Sequence, residues 1–590
     1  MGRRRFGRGV VVVFAAIGVV ASVGVVAAVA LDRPPGAGAD PLEWDDLEVG
    51  EGAPGELAAN IGPASDSGAY APAVALDEQG DVRLRGMAFG MGAPAVELGG
   101  TYAFRLLTLP CGRRPAHTVF TRSTGAGATG DGVALTAQAL RIEPNGAVSV
   151  LTDVSALDTS GEPATFSGYL PLDGVRFQAD GDARVADCNE GDAQVIHVDP
   201  DGDDSADGSA EHPLATLDKA LTWVRPGDTI EMNGGPYELD HTIWVTVSGT
   251  DDAPITLRAG TGGTPVFDGT GIARDSQFQM VLTFDQVSHW DISGIRVTNG
   301  RGEGLACSGC SWTTWDQIEV DHNDGPGMVL LGSGTHDNLV QNSDFHHNTD
   351  SLGNGENGDG LDVQGGSGTG NVLRHNRAWA NTDDGFDLWN FASPVHLEGN
   401  WSFENGVPPE GPAGEGFNGD GHGFLLGGND PSASPPAAAH VVVGNVAWGN
   451  GTEGFNSLGN PGTIQLVNNT TFANGGAGYV TTSDTEGATV DARNNLSFDD
   501  GAGSQLGVLV GEGSVNSWTD EDLDVTAGDF ASTTGGTAAA SAARGSGGAL
   551  PGLDGFLHLT SASDLRDAGE AVVIGSVTFG PDLGAFPFGG

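Results

Sequence analysis

The stretch Asn376-Arg377-Ala378-Trp379-Ala380-Asn381 recurs 24 residues on as Asn400-Trp401-Ser402-Phe403-Glu404-Asn405, and this spacing decides the fold. A polar residue, mostly Asn, precedes an aromatic or apolar residue by three positions and an Asn or His by five. Asn445/Trp448/Asn450 and Asn469/Phe472/Asn474 repeat the pattern; Asn495/Phe498 and Asn342/Phe345/His347 continue it. Gln317/Val320/His322 and Gly294/Val297/Asn299 extend it backwards, with leading positions 23, 25, 34, 24, 45, 24 and 26 residues apart. A period of this size marks a solenoid. Each coil of a solenoid buries its face only against its neighbours, which calls for a buried aromatic column and an Asn column bonded from coil to coil. The intervals of 34 and 45 are coils with insertions, which in solenoids build the functional face. The 97 glycines supply tight corners between short β-rich runs and argue against a helical repeat. The expectation is an all-β chain whose main domain is a parallel β-helix.

Two adjacent coils carry an acidic constellation. Gly358-Asp359-Gly360-Leu361-Asp362 is followed by Asn381-Thr382-Asp383-Asp384-Gly385-Phe386-Asp387-Leu388-Trp389. Asp383 lies one repeat after Asp359, so the two stack with backbones about 4.8 Å apart. Carboxylates this close repel one another unless a cation neutralises them or they take up protons. An all-oxygen donor set suits Ca²⁺.

The remaining chain sets the context. Lys and Arg number 25 against 78 Asp and Glu, a formal charge of −53, which argues against nucleic acid or an anionic membrane surface as partner. Arg3, Arg4, Arg5 and Arg8 precede an uncharged run from Gly9 to Leu31 with an Ala28-Val29-Ala30 site, so residues 1–34 read as a signal peptide or an uncleaved anchor. The rest is then expected outside the cell, secreted or held at its surface. Residues 35–56 read as a linker and 57–190 as a small β domain, with Asn145-Gly146 as a hairpin turn between apolar runs. Residues 191–590 form the β-helix and its closing segment. Thr216 N-caps a helical run ending at Val224, a short amphipathic cap over the open end of the solenoid. Asp199, Asp201 and Asp203 lack the Gly and Glu of a calcium-binding helix–loop–helix and read as a solvated turn. Cys307 and Cys310 suit a local disulfide or two thiols rather than zinc.

Residues 196–590 resemble the family 9 polysaccharide lyases, the pectate-lyase branch built on a right-handed parallel β-helix. The likeness rests on Pro213-Leu214-Ala215-Thr216-Leu217, Pro226-Gly227-Asp228-Thr229-Ile230, Arg377-Ala378-Trp379 and Pro581-Asp582-Leu583-Gly584-Ala585-Phe586. The most specific element is Asp383-Asp384-Gly385-Phe386-Asp387-Leu388-Trp389 with Asp359 one coil earlier. The resemblance implies Asp359, Asp383, Asp384 and Asp387 as Ca²⁺ ligands and an acidic, uronate-containing polysaccharide such as pectate as partner. It also implies β-elimination, with the cation holding the uronate carboxylate and a lysine removing the C5 proton.

That lysine is missing. The family pattern Gly-Asn-Gly-Phe-Lys-Leu-Gly-Gly aligns with Gly421-His422-Gly423-Phe424-Leu425-Leu426-Gly427-Gly428, placing Leu425 at the base position. Asp362, Asp387, Leu425 and Asn456 each follow a Gly-apolar pair in successive coils, so they share one column beside the metal. A leucine takes no proton, and Lys219, the chain's one lysine, sits on the capping helix. His422 is the replacement base to consider, with an ordinary imidazole pKa near 6.5; its other reading is a turn residue. Arg374 and Arg377 qualify only if desolvated. Two further readings share the fold: an inverting hydrolase acting through aspartates, and a non-catalytic glycan-binding or surface protein.

Overall fold

The computed structural model describes residues 193–588 apart from 274–278, 409–415, 429–436, 482–488, 505–507, 510–514 and 521, together with strands between residues 45 and 178. The N-terminal basic and apolar segment, Cys111 and Cys188 lie outside the described residues. Among the described residues no helix is long and apolar enough to cross a membrane.

From Val195 onward the chain winds through three parallel sheets of 12, 10 and 9 strands, the right-handed β-helix expected from the repeat. The first runs from Val195–Val198 to Val508–Leu509, the second from Gly235–Glu238 to Leu496–Phe498, and the third from Ile243–Val245 to Tyr479–Val480. Before Val195 the pairing is antiparallel apart from one short pair. Strand pairing begins at Asp45–Asp46, inside the stretch expected as linker. Ala139–Ile142 and Ala147–Thr152 pair antiparallel on either side of Asn145-Gly146.

The helix Leu217–Trp223 closes the first coil, and the Thr216 side chain accepts from the Lys219 backbone N–H at 3.1 Å, the N-cap its sequence specifies. Leu217, Ala220, Leu221 and Trp223 are buried beneath it. In the bore, Phe386, Phe424, Phe455 and Tyr479 stack with centroids 4.9, 4.6 and 5.1 Å apart. Cys307 and Cys310 form a disulfide within the same core.

The expected Asn column is present, and a second runs at the next corner. Asn376, Asn400, Asn445, Asn469 and Asn495 each donate from Nδ2 to the next Oδ1 at 2.9–3.1 Å, the series ending at Asn516. Asn348, Asn381, Asn405, Asn450 and Asn474 form the parallel ladder at the next corner. One register expectation is corrected. Phe345 pairs with Ala378 rather than Trp379, and Val320 with Phe345, so the three earliest members of the pattern stand one residue out of step. A one-residue shift reverses the face of a strand. Phe345 and Val320 therefore point into the bore, whereas the aromatic column of Trp379, Phe403 and Trp448 lies outside it. That column is buried by Phe530, Leu553, Phe556 and Leu557 of the C-terminal segment.

Candidate metal centre and groove

The third sheet positions the acidic residues. Its strands Leu361–Gln364, Phe386–Asp387, Phe424–Leu425 and Phe455–Asn456 pair in parallel register, placing Asp362, Asp387, Leu425 and Asn456 directly above one another. The inward residue of each pair is held by the aromatic stack, so the outward residue is fixed too. A second column lies at the corner before each strand, where the amide after Asp359 reaches the Asp384 carbonyl, the next reaches His422, and the next Glu453. Asp359, Asp384, His422 and Glu453 thus form a column beside the first, so Asp384 rather than the expected Asp383 stacks on Asp359, because these coils are offset by 25 residues instead of 24.

Carboxylate oxygens of Asp359, Asp383 and Asp384 lie within 4.8 Å of one another, as do those of Asp359, Asp362 and Asp387. The four aspartates expected from sequence are brought together, and Asp362 joins them. Asp362 stood in the quoted stretch and one coil before Asp387, so its column position was the available signal. Backbone amides orient three of the carboxylates. Asp384 N–H donates to Asp359 Oδ1 at 2.9 Å, His422 N–H to Asp384 Oδ1 at 2.6 Å, and Asp420 N–H to Asp383 Oδ1 at 2.5 Å. Asp420 comes from the long insertion between Asn405 and Gly421. That insertion also meets the other one, through Asn418 N–H to the Asn354 carbonyl at 3.0 Å.

Burial pushes all five carboxyls upward, Asp383 to about 12 and Asp384 to about 6. The neighbouring carboxylates push Asp359, Asp362, Asp383 and Asp387 further up; at Asp384 the nearby His422 opposes the rise. Asp362 Oδ1 and Asp387 Oδ1 are buried with no hydrogen-bond partner. Among the described residues no arginine or lysine is ion-paired to any of the five. Unpartnered buried oxygens in an all-oxygen set fit a hard divalent cation of the Ca²⁺ kind.

His422 stands in the Asp359–Asp384 column, not the Leu425 column. Its Nδ1 lies 3.0 Å from Glu453 Oε2 and 2.9 Å from Thr452 Oγ1. Burial would lower its pKa, but Asp384 and Glu453 outweigh that and raise it to about 9. In this state it is an imidazolium, a proton donor. Leu425 is 4 % exposed in register between Asp387 and Asn456. Neither arginine serves the groove. Arg374 Nε donates to Glu398 at 2.9 Å on the first sheet. Arg377 is buried, bidentate to Asp344, and donates to the Ala540 and Ala542 carbonyls, tying the C-terminal segment to the second sheet. Lys219 lies over the Trp223 ring at the far end. A second cluster of Asp321, His322 and His346 is internally satisfied, since Arg296 is bidentate to Asp321 at 2.7 Å.

Coil stacking and the acidic outer column define a right-handed parallel β-helix of the polysaccharide-lyase type. The chain belongs to the Pel9A-like family: residues 196–495 match its right-handed β-helix region. Pectate lyase L of Dickeya dadantii is 32% identical over 403 residues, 67% of this chain and 90% of that protein. Pectate lyase PEL9 of Emericella nidulans is 34% identical over 310 residues, 49% of this chain and 75% of that one. The crystal structure of pectate lyase Pel9A superposes with a TM-score of 0.58 at 30% identity, covering 68% of this chain and 97% of its own. A rhamnogalacturonan lyase structure superposes with a TM-score of 0.52 at 27% identity, covering 62% and 97%.

Proposed function

We propose that Asp359, Asp383, Asp384 and Asp387, with Asp362 beside them, hold a Ca²⁺ ion and that the groove takes uronate-containing polysaccharide such as pectate outside the cell. The observation that carries this is the pair of buried, unpartnered carboxylate oxygens on Asp362 and Asp387 within the five-carboxylate set. A bound cation would grip the uronate carboxylate and acidify the adjacent C5 proton, the step that β-elimination requires. The chain's own residues orient that centre: the Asp384, Asp420 and His422 amides fix three carboxylates, and the Phe386–Phe424–Phe455 stack holds the outer column rigid. Lyase chemistry is the reading favoured by the named relatives, with His422 the imidazole of the acidic column and the candidate base once a bound cation offsets Asp384 and lets it deprotonate.

Leu425 favours a second reading, a groove that captures uronate chains and turns them over slowly or not at all. Purified protein incubated with Ca²⁺ and either polygalacturonate or rhamnogalacturonan separates the readings. Absorbance of an unsaturated product supports elimination. Reducing ends without absorbance point to hydrolysis, and binding without either product points to a capture module. Calcium should raise the melting temperature by mass action, and Asp383→Ala with Asp384→Ala should abolish the rise. An unchanged calcium response in that double variant removes the site.

A further inference from the structure

The outer face of the third sheet changes character on either side of the acidic centre. In register, Trp244, Thr283, Ala306, Val329 and Asp362 form one outward column, and Asp285 and Ser308 form the next. Outward positions of a solenoid ordinarily meet solvent. Here Thr283, Ala306 and Val329 are 0–1% exposed, and Asp285 and Ser308 are buried as well. Beyond the acidic centre Asp387, Asn456 and Val480 of the same column are partly exposed, while Leu425 between them is buried.

Arg141, from the antiparallel strand Ala139–Ile142, meets the first two of these coils. Its Nη2 donates to Asp285 Oδ2 at 3.0 Å with both side chains almost fully buried, and its guanidinium lies 4.1 Å from the Trp244 ring centroid. A buried bidentate-capable cation paired this way is costly to undock, because removing it leaves Asp285 charged and unpaired. The family match begins at residue 196, so the strand carrying Arg141 lies outside it.

We propose that the antiparallel N-terminal module closes one end of the polysaccharide groove and that Arg141 seats it there. A chain lying along the helix axis is then stopped near Asp362 and extends only over the coils of Asp387, Leu425, Asn456 and Val480. The groove takes uronate oligosaccharides or chain ends rather than the middle of a long polymer. This rests on the uronate-binding reading above.

Calorimetric titration of oligogalacturonates from dimer to octamer, in Ca²⁺, tests it. Four coils carry the open column, so affinity should level off no later than the pentamer. From pentamer to octamer it should change by less than about twofold, ~0.4 kcal/mol at 1.4 kcal/mol per tenfold. Affinity that tightens tenfold or more over that range overturns the closed end while leaving the uronate reading intact. No binding at any length sinks the uronate reading and this one with it. Arg141→Glu sets a carboxylate against Asp285 and should free the octamer to bind more tightly than the pentamer. A folded R141E protein with the wild-type plateau overturns the role of Arg141. The wild-type series decides the closed end even where R141E does not fold.

Discussion

Leu425 occupies the outer column between Asp387 and Asn456, at the position where the family resemblance implies the base. Leu425→Lys should therefore create or raise elimination on polygalacturonate, by ~10²–10⁴-fold where the lysine acts as general base. Two effects oppose each other at the new ammonium: a bound cation and desolvation lower its pKa, while Asp362 and Asp387 raise it. If the wild type already eliminates rapidly and His422→Ala abolishes this, the gain will not appear and His422 is the base. His440 shows what burial does without a charged partner. It is fully buried, its Nδ1 accepts from the Val395 N–H at 3.1 Å, and burial drives its pKa down to about 3. The folded protein thus refuses a proton that the unfolded chain binds below about 6.5. The stabilisation is complete above that pH and fades as pH falls from 6.5 toward 3, by about 2 kcal/mol at pH 5. His440→Gln should flatten this acid limb in denaturation measured across that window.

The Asn ladders are the element that holds coil to coil. Asn400 Nδ2 donates to the Leu373 carbonyl at 2.8 Å and to Asn445 Oδ1 at 2.9 Å, while its Oδ1 accepts the Asn376 N–H at 2.9 Å. Both donors and the acceptor are enclosed, so nothing replaces the bonds when the amide is removed. Asn400→Ala should cost about 1–3 kcal/mol for each group it orphans, seen as a lower urea midpoint with an unchanged slope. Asn400→Asp restores only the acceptor and buries a carboxyl, so it should not rescue. The inner aromatic stack acts differently: Phe386, Phe424 and Phe455 fill the bore directly behind Asp387, Leu425 and Asn456, so packing there sets the geometry of the groove.

The whole molecule carries a formal charge of −53. Self-repulsion on that scale opposes the folded state and is screened by salt. The melting temperature should rise as NaCl is raised from low ionic strength, and Ca²⁺ should raise it beyond what NaCl of equal ionic strength achieves. Equal responses to the two salts would reduce the acidic centre to general screening. The C-terminal segment contributes at the same scale. It covers the outer aromatic column of Trp379, Phe403 and Trp448 and is tied down where Arg377 and Arg544 converge on Asp344.

The repeat, the capping helix at Thr216, the Asn ladders and the shared column of Asp362, Asp387, Leu425 and Asn456 were all legible in the sequence. Each follows from periodicity or local hydrogen bonding, which the chain carries position by position. Which face the aromatic column takes was not legible. Strand geometry alternates faces every residue, so a single inserted position between Phe345 and Trp379 reverses the assignment, and only coil-to-coil pairing counts it. The tertiary structure likewise decided that His422 falls in the Asp384 column beside Glu453, because insertions of irregular length set that corner. It alone seated Arg141 on Asp285, a contact between residues 144 apart that no local pattern announces.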